Sequence, residues 1–435
     1  MKKHFALVGL LLLSALLMTA CAKKPAETAA PTETASAAFT PKLDTQAAVN
    51  LEIAGFFGNF EALDQVINHF NDYYPNITTT YEQIRSDKMV EYFKNNPNID
   101  VVMTDDINLR YPDQTETYVL DQCADLGAAG IAIGNSDVQA FSTFGGKLAR
   151  VPMSYAVRGM VVNKTLLQKE GLSVPTNYEE FLAVLKALKQ KGYTPIQGPE
   201  SSLYTNLTYS MVMAMIGSDG DLLAALNAGD ASAVQKLTDA LGRVQTFIEK
   251  GYISKEINDT YPEDNYDGAI MTFMEGDVPF WACTSECYSG MRKRESKSEA
   301  FKANPFEYQF IFPPMGDTGS YEYMEPWYGF SVNQNSDALD YALEFLRFLS
   351  TDSELNTLAS VKGVPSIVDD PDDTRYADLN KHEHVQVSYT NTGALLNHVE
   401  EYFVIEMKQF GENGPQAVVD AYVQRCADTA KSMAE

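Results

Sequence analysis

Two kinds of side chain in this sequence have the chemistry to hold a small molecule. Asn59, Asp105, Asp106 and Glu286 offer carboxylate and amide groups that satisfy hydroxyls. Phe57, Tyr155, Tyr204, Trp281 and Trp327 offer flat rings that cover C–H faces. A buried polar group left unpaired costs about 1–3 kcal/mol, so the placement of such groups sets selectivity. Together they suit a polyhydroxylated ligand such as a sugar. Each has a plainer alternative: Asp105 and Asp106 as helix caps, Asn59 as the N-cap of a helix at Phe60, Tyr155 as packing, and Trp281 as a core residue within a strand. Arg158 reads as a salt-bridge residue. A hydrolytic alternative exists, since Asp105 and Glu286 across a cleft would flank a glycosidic bond. With 59 acidic residues in the chain, however, a chance pair is the default. There is no Gly-x-Ser-x-Gly elbow, phosphate-binding loop or His-Glu-x-x-His pair. Cys283 and Cys287 stand four apart without a second pair, and the five histidines are scattered, so neither a metal nor a cofactor is expected. The two thiols are equally compatible with a local disulfide and with free core cysteines.

The chain begins with Lys2-Lys3, an apolar run from Phe5 to Met18, and Thr19-Ala20-Cys21. That run is short for a membrane span, and small residues before a Cys resemble a bacterial lipoprotein cleavage site. The expectation is a signal peptide over residues 1–20 and a lipidated, palmitate-type anchor on Cys21. Two or three acyl chains, at about 0.8 kcal/mol per buried CH₂, anchor stably. Residues 21–48 are rich in Ala, Thr, Pro, Glu and Ser and read as a disordered tether spanning on the order of 30 Å. The remainder is too long for one core and suits two lobes. A formal net charge of −26 argues against nucleic acid and anionic membrane surfaces as partners.

Strands and helices alternate through the first third. Asn50–Phe56 and Ile77–Tyr81 read as strands around a helix with Phe60, Leu63, Ile67 and Phe70 on one face. Asp100–Met103 is a buried-strand run ending at Thr104-Asp105-Asp106. This pattern predicts an open, largely parallel sheet with ligand beyond the carboxyl ends of its strands, at residues 57–59 and 104–106. Leu148–Val162 is extended. Tyr178, Phe181, Leu182, Leu185 and Leu188 form a helical stripe, opened by a Thr176–Glu179 capping box and closed by Gly192. Helices follow over 203–216 and 231–250. Asp277–Cys283 reads as a strand with Thr284-Ser285-Glu286 as its loop, and Tyr308–Pro313 as a strand crossing back to the first lobe. Ser336 is the expected N-cap of the next helix, and Thr351–Glu354 a capping box for another, stopped by Gly363-Val364-Pro365. Helices are also expected over 393–410 and 416–433.

From Gly146 to Gly198 the sequence GKLARVPMSYAVRGMVVNKTLLQKEGLSVPTNYEEFLAVLKALKQKGYTPIQG resembles the solute-binding proteins of ABC importers, especially the carbohydrate-binding group that includes maltose-binding protein. The segment Pro326-Trp327-Tyr328-Gly329-Phe330 through Gly363-Val364-Pro365 matches as well, and the resemblance is collinear over the mature chain. It implies an α/β, two-lobed periplasmic-binding-protein-like fold of type II. Each lobe would be a mostly parallel sheet flanked by helices, with a hinge between them. Lobe 1 would hold residues 49–153 and 325–368, and lobe 2 residues 154–324 and 369–435.

The resemblance further implies a monomeric, extracellular or periplasmic protein, lipid-anchored to the cell membrane. It would bind a carbohydrate between its lobes and deliver it to the permease of an ABC transporter, without enzymatic activity. A secreted carbohydrate-active hydrolase or lyase, and a sugar-sensing or adhesion lipoprotein, are the competing expectations. Asp105 and Asp106 fall where relatives contact ligand, and Tyr204 falls near a second-lobe stacking position. Many relatives carry a Trp where this chain has Thr284-Ser285-Glu286, a departure that suits a more polar ligand.

Overall fold

The computed structural model describes residues 39–58, 60–105, 109, 116–217, 221–222, 225, 230–253, 266–320, 324–369 and 420. The expectations for the leader, for the tether up to residue 38, and for the helices over 393–410 and 416–433 lie outside these residues, apart from Asp420, which is helical. Residues 39–48 are not a free tether as expected: Phe39 packs on Phe348 at 4.9 Å, Arg347 donates to the Thr40 carbonyl at 2.7 Å and the Lys42 amide donates to Glu344 at 2.9 Å, because this polar stretch ends in groups that the folded surface can bury and pair.

Twelve strands are described. β1 (Val49–Gly55), β2 (Ile77–Gln83) and β3 (Val101–Thr104) come first, followed by β4 (Thr143–Phe144), β5 (Lys147–Leu148) and β6 (Val151–Pro152). β7 (Tyr155–Asn163), β8 (Ile196–Gln197), β9 (Phe280–Thr284), β10 (Tyr308–Ile311), β11 (Met324–Pro326) and β12 (Gly329–Val332) complete the set. They form two five-stranded sheets and one two-stranded ribbon, β4 with β5.

The first sheet has the order β2-β1-β3-β12-β6. β1 runs parallel to β2 and β3, with Val49 beside Ile77 and Ile53 beside Val101. β12 is antiparallel to both β3 and β6. Helix Glu61–Tyr73 turns Leu63, Val66, Ile67 and Phe70 inward, the stripe that its sequence spacing predicts. There Phe70 meets Phe345 and Phe348 of helix Leu339–Leu349 at ring separations of 5.2 and 5.4 Å. Burying each such ring stabilises the fold by roughly 2–3 kcal/mol. Asp100 ties the sheet edge together, accepting from the Glu52 amide at 2.7 Å and from the Ser336 hydroxyl at 2.5 Å.

The second sheet has the order β10-β7-β9-β8, with β11 also paired to β7. Only β8 and β9 are parallel; β10, β9 and β11 all run antiparallel to β7. The expectation of mostly parallel sheets therefore holds for β2-β1-β3 and not for the second sheet. The reason is that β7 is buried at eight of its nine positions, so it reads as a continuous apolar run whatever the direction of its neighbours. Tyr308–Ile311 also does not return to the first sheet; β10 lies along β7. Helix Glu200–Gly217 packs on β7 and β9. Its buried Asn206 donates to the carbonyls of Gly159 at 2.6 Å and Cys283 at 2.9 Å, bridging both strands.

Several caps shift by a residue or two. Asn177, not Thr176, caps helix Tyr178–Gln190 by accepting from the Glu180 amide, while Glu180 reaches back to the Thr176 amide and hydroxyl. The box exists one residue later than expected. Helix Leu339–Leu349 begins after Ala338, with Ser336 accepting from the Ala338 amide. Thr351 makes no capping bond: its hydroxyl donates to the Phe348 carbonyl, and Glu354 pairs with His69. Gly363 closes helix Asp352–Lys362 in the left-handed conformation, φ 79°.

Candidate functional site

The chain passes between the sheets twice at adjacent points. The first passage, Met153–Ser154, links β6 to β7; the second, Trp327–Tyr328, links β11 to β12. They hydrogen-bond to each other: the Met153 amide donates to the Tyr328 carbonyl at 2.9 Å, and the Trp327 amide donates to the Ser154 carbonyl at 2.8 Å. A third segment joins them, because the Tyr155 amide donates to the Pro365 carbonyl at 3.0 Å. Gly329 makes the close approach possible, since a Cβ there would sit 2.7 Å from the Val151 carbonyl oxygen and 2.9 Å from the Pro152 backbone. This is a narrow waist between two well-packed halves.

Aromatic rings gather on the first-sheet side of the waist. Phe57, two residues past β1, lies 5.6 Å from Trp327, and Trp327 stacks on Tyr328 at 4.6 Å with 25° between planes. Phe56 meets Tyr328 edge-on at 5.0 Å. Phe57, Trp327 and Tyr328 are each half-buried. The Lys362 Nζ stands 3.9 Å from the Phe57 ring centroid and 5.8 Å from that of Trp327, a cation over aromatic faces. Asp105 follows β3 directly, half-buried, where Thr104 pairs with Gly329.

The facing wall comes from β9 and the helix after it, Ser285–Arg294. The helix begins at Ser285, so Thr284-Ser285-Glu286 is not the expected loop. Ser285 accepts from the Val157 amide at 3.2 Å and pins the helix to β7. Glu286, Ser289 and Lys293 fall at i, i+3 and i+7, on one helical face. That face is turned toward Lys362, because the Ser289 hydroxyl donates to the Lys362 carbonyl at 2.8 Å. Arg158 on β7 is in register with Thr284 on β9.

The electrostatics follow from this packing. Burial raises the Glu286 carboxyl above its ordinary range, against the opposing effects of a Thr284 hydrogen bond and of the Lys362 and Arg158 charges. Its Oε1 is shielded from solvent and has no hydrogen-bond partner in the structure. Burial lowers Lys362, and the Lys293 charge lowers it further, while Glu286 acts in the opposite sense. A shielded acceptor without a donor thus lies on the helix that bonds the Lys362 carbonyl, and the Lys362 ammonium stands over two rings. Such an arrangement can hold a ring with hydroxyls.

The sequence-predicted residues separate accordingly. Phe57 and Trp327 come together, and Glu286 faces them through Lys362. Trp281 does not belong with them: it is 0 % exposed in the middle of β9, with Phe273 at 6.3 Å. A strand position flanked by apolar neighbours on both sides goes to the core. Tyr155 is buried too. Its hydroxyl accepts from Asn135 Nδ2 at 3.1 Å, the same nitrogen that donates to the Ile367 carbonyl, and burial pushes the phenol up to about 12. It ties down the third segment of the waist. Asn59 and Asp106 lie outside the described residues; Tyr204 has its backbone in helix Glu200–Gly217 but its side chain is outside the description. Lys362, Tyr328, Ser289 and Lys293 were missed. For Lys362 the available signal was its place as the last helical residue before Gly363-Val364-Pro365. Cys283 and Cys287 are buried free thiols, and burial together with Cys287 raises Cys283. Among the described residues no cluster of His, Cys, Asp and Glu could hold a metal ion, and no helix is long and apolar enough to cross a membrane.

The family model for bacterial extracellular solute-binding proteins matches residues 65–384, most of the chain. The chain belongs to that family. A probable sugar-binding periplasmic protein of Rhizobium meliloti is 24% identical over 128 residues, 28% of this chain and 30% of that protein. The matched stretch thus spans about a third of that relative's length. Among solved structures, maltose-bound MalE3 of T. maritima superposes with a TM-score of 0.63 at 18% identity, covering 88% of this chain and 100% of that one. The sugar-binding protein MalE of Xanthomonas citri gives 0.64 at 15% identity, covering 89% and 99%. These likenesses show the fold of this solute-binding protein: the two-lobed α/β architecture of periplasmic binding proteins. The family places it outside the cytoplasm, as an extracellular or periplasmic protein that binds a solute.

Proposed function

We propose that this solute-binding protein captures a carbohydrate at the waist between its two halves and delivers it to the permease of an ABC transporter. One observation carries the reading. Half-buried rings, Phe57 and Trp327, gather under the Lys362 ammonium, and the helix that bonds the Lys362 carbonyl through Ser289 carries Glu286, whose shielded carboxylate oxygen has no partner of its own. Rings for C–H faces and an acceptor for hydroxyls are what a sugar needs, and the two rings remain half-buried rather than fully enclosed. The names of the sugar-binding relative and of the maltose-bound structural neighbour support the same ligand class.

Mechanically, the hydrogen-bonded pair of passages acts as the hinge. Lobe 1 takes residues 49–153 and 325–368, and lobe 2 residues 154–324 and 369–435. A ligand touching both lobes favours the closed arrangement by its differential affinity for it. Cys21 carries the acyl chains, and the stretch before Phe39, which itself packs on Phe348, tethers the lobes to the membrane as a monomer. Intact-mass analysis of membrane-extracted protein tests the anchor: the mature chain starts at Cys21 with a mass increment equal to its acyl groups. Thermal unfolding against a panel of mono- and oligosaccharides, amino acids and peptides tests the ligand class. A saccharide at 100 times its Kd stabilises by about 2.7 kcal/mol. Stabilisation by amino acids or peptides and by no saccharide refutes the carbohydrate reading.

A further inference from the structure

The cations of the waist do not match the rest of the chain. Acidic residues outnumber basic ones by 59 to 33 overall. Here the Lys362 and Arg158 charges act on one carboxylate, Glu286, and Lys293 acts on Lys362. Among the described residues, neither Lys362 nor Lys293 has a carboxylate within ion-pair distance. The pairs formed nearby belong to other side chains: Arg292 with Glu295, and Arg294 with Asp267. Lys293 is exposed at the rim, while Lys362 is half-buried over Phe57 and Trp327. The geometry is fixed by helix Ser285–Arg294, whose single face carries Glu286, Ser289 and Lys293 and touches the Lys362 carbonyl through Ser289.

A half-buried ammonium with no ion pair among the described residues is costly, and the rings beneath it and the more distant Glu286 charge offset only part of that cost. Closing the lobes around a ligand removes more water and raises the cost further. A neutral sugar would leave the ammonium with no ion pair among the described residues in the closed state. A ligand that brings its own anion completes the site and gains a charge-assisted hydrogen bond.

We infer that the physiological ligand is an acidic saccharide, a hexuronate-containing sugar whose carboxylate pairs with Lys362 and is steered by Lys293 while its ring lies against Phe57 and Trp327. Glu286, the lone acceptor, then takes a hydroxyl of the same sugar. The inference rests on the carbohydrate reading above and narrows it to a charge class. Lowering of the Lys362 amine by burial agrees with an ammonium that lacks its partner.

Calorimetric titration of the full chain with glucuronate- and galacturonate-containing oligosaccharides, each beside its methyl ester, tests it. The ester keeps every hydroxyl and removes only the charge. The acid is expected to bind at least tenfold more tightly than its ester. Lys362→Met should abolish the difference between acid and ester, and Lys293→Gln should reduce it. Equal binding of acid and ester by the unaltered protein overturns the inference even if Lys362→Met does not fold. Binding of neutral oligosaccharides with no uronate bound overturns it while leaving the carbohydrate reading intact. Failure of every saccharide, charged or neutral, removes both.

Discussion

Glu286→Gln separates a ligand-reading carboxylate from a structural one, because the two roles move stability in opposite directions. The unaltered side chain holds Oε1 shielded and unpartnered, and an unsatisfied buried acceptor costs about 1–3 kcal/mol. Burial raises its pKa, and a carboxyl raised on folding stabilises the fold below its unfolded value of 4.5 and loses that contribution as pH climbs through the folded value. Gln keeps the volume and removes the charge, so at neutral pH the ligand-free variant should be more stable by about 1 kcal/mol, a rise of roughly 2 °C in Tm. That gain should vanish below pH 4.5, where the natural carboxyl is neutral as well. Ligand affinity should move the other way. A hydrogen bond to a charged group is worth about 1.5–3 kcal/mol, which converts to a roughly 10- to 150-fold rise in Kd. Differential scanning calorimetry across pH 4 to 8, with titration of whichever saccharide the panel identifies, measures both. A Glu286→Gln protein that melts several degrees lower and binds as before would show that the carboxylate holds the waist together, and would refute its assignment to ligand.

Three further outcomes follow from the same geometry. The chain has two tryptophans and Trp281 is fully buried, so ligand-induced changes in emission should persist in Trp281→Phe and disappear in Trp327→Phe. Asn206→Leu leaves the Gly159 and Cys283 carbonyls without their bridging donor and should cost about 1–3 kcal/mol in urea unfolding; an unchanged midpoint would mean that the bridge contributes nothing. For Glu344, burial pushes the carboxyl up, but hydrogen bonds from Arg347, Tyr74 and the Lys42 amide outweigh it and hold the carboxyl below 4.5. A lowered carboxyl contributes stability above 4.5 that is lost as pH falls through the folded value. Glu344→Gln should therefore be less stable than the natural protein at pH 7, with the gap closing in acid; a gap constant with pH contradicts this linkage.

The rings at the waist illustrate how far a sequence can be read. Phe57 was legible because it follows a short apolar strand that leads into an amphipathic helix, and the ends of such parallel strands face ligands. Trp327 was legible because Pro326 and Gly329 mark a break between two extended runs. The helices are equally local: the stripe at Leu63, Ile67 and Phe70 repeats at the helical period, and Gly363 can supply a left-handed stop at no steric cost. Cap positions slipped by a residue or two because Thr176 and Asn177 compete for the same role, and packing chose between them.

What the sequence determined by itself is the strands and helices of the first sheet, several of the later helices and the α/β class, written in local periodicity and in a resemblance that spans the chain; the helix Ser285–Arg294 and the ribbon of β4 with β5 were not legible. Tertiary structure alone decided that Tyr155 and Trp281 are buried, that β7 is flanked by antiparallel neighbours, and that the helix carrying Glu286 bonds the Lys362 carbonyl through Ser289. The physical reason is one of range. Backbone propensity and hydrophobic period act over a few residues, whereas burial, charge and the pairing of distant strands depend on which surfaces meet once the chain has folded. The ligand site is assembled entirely from such meetings.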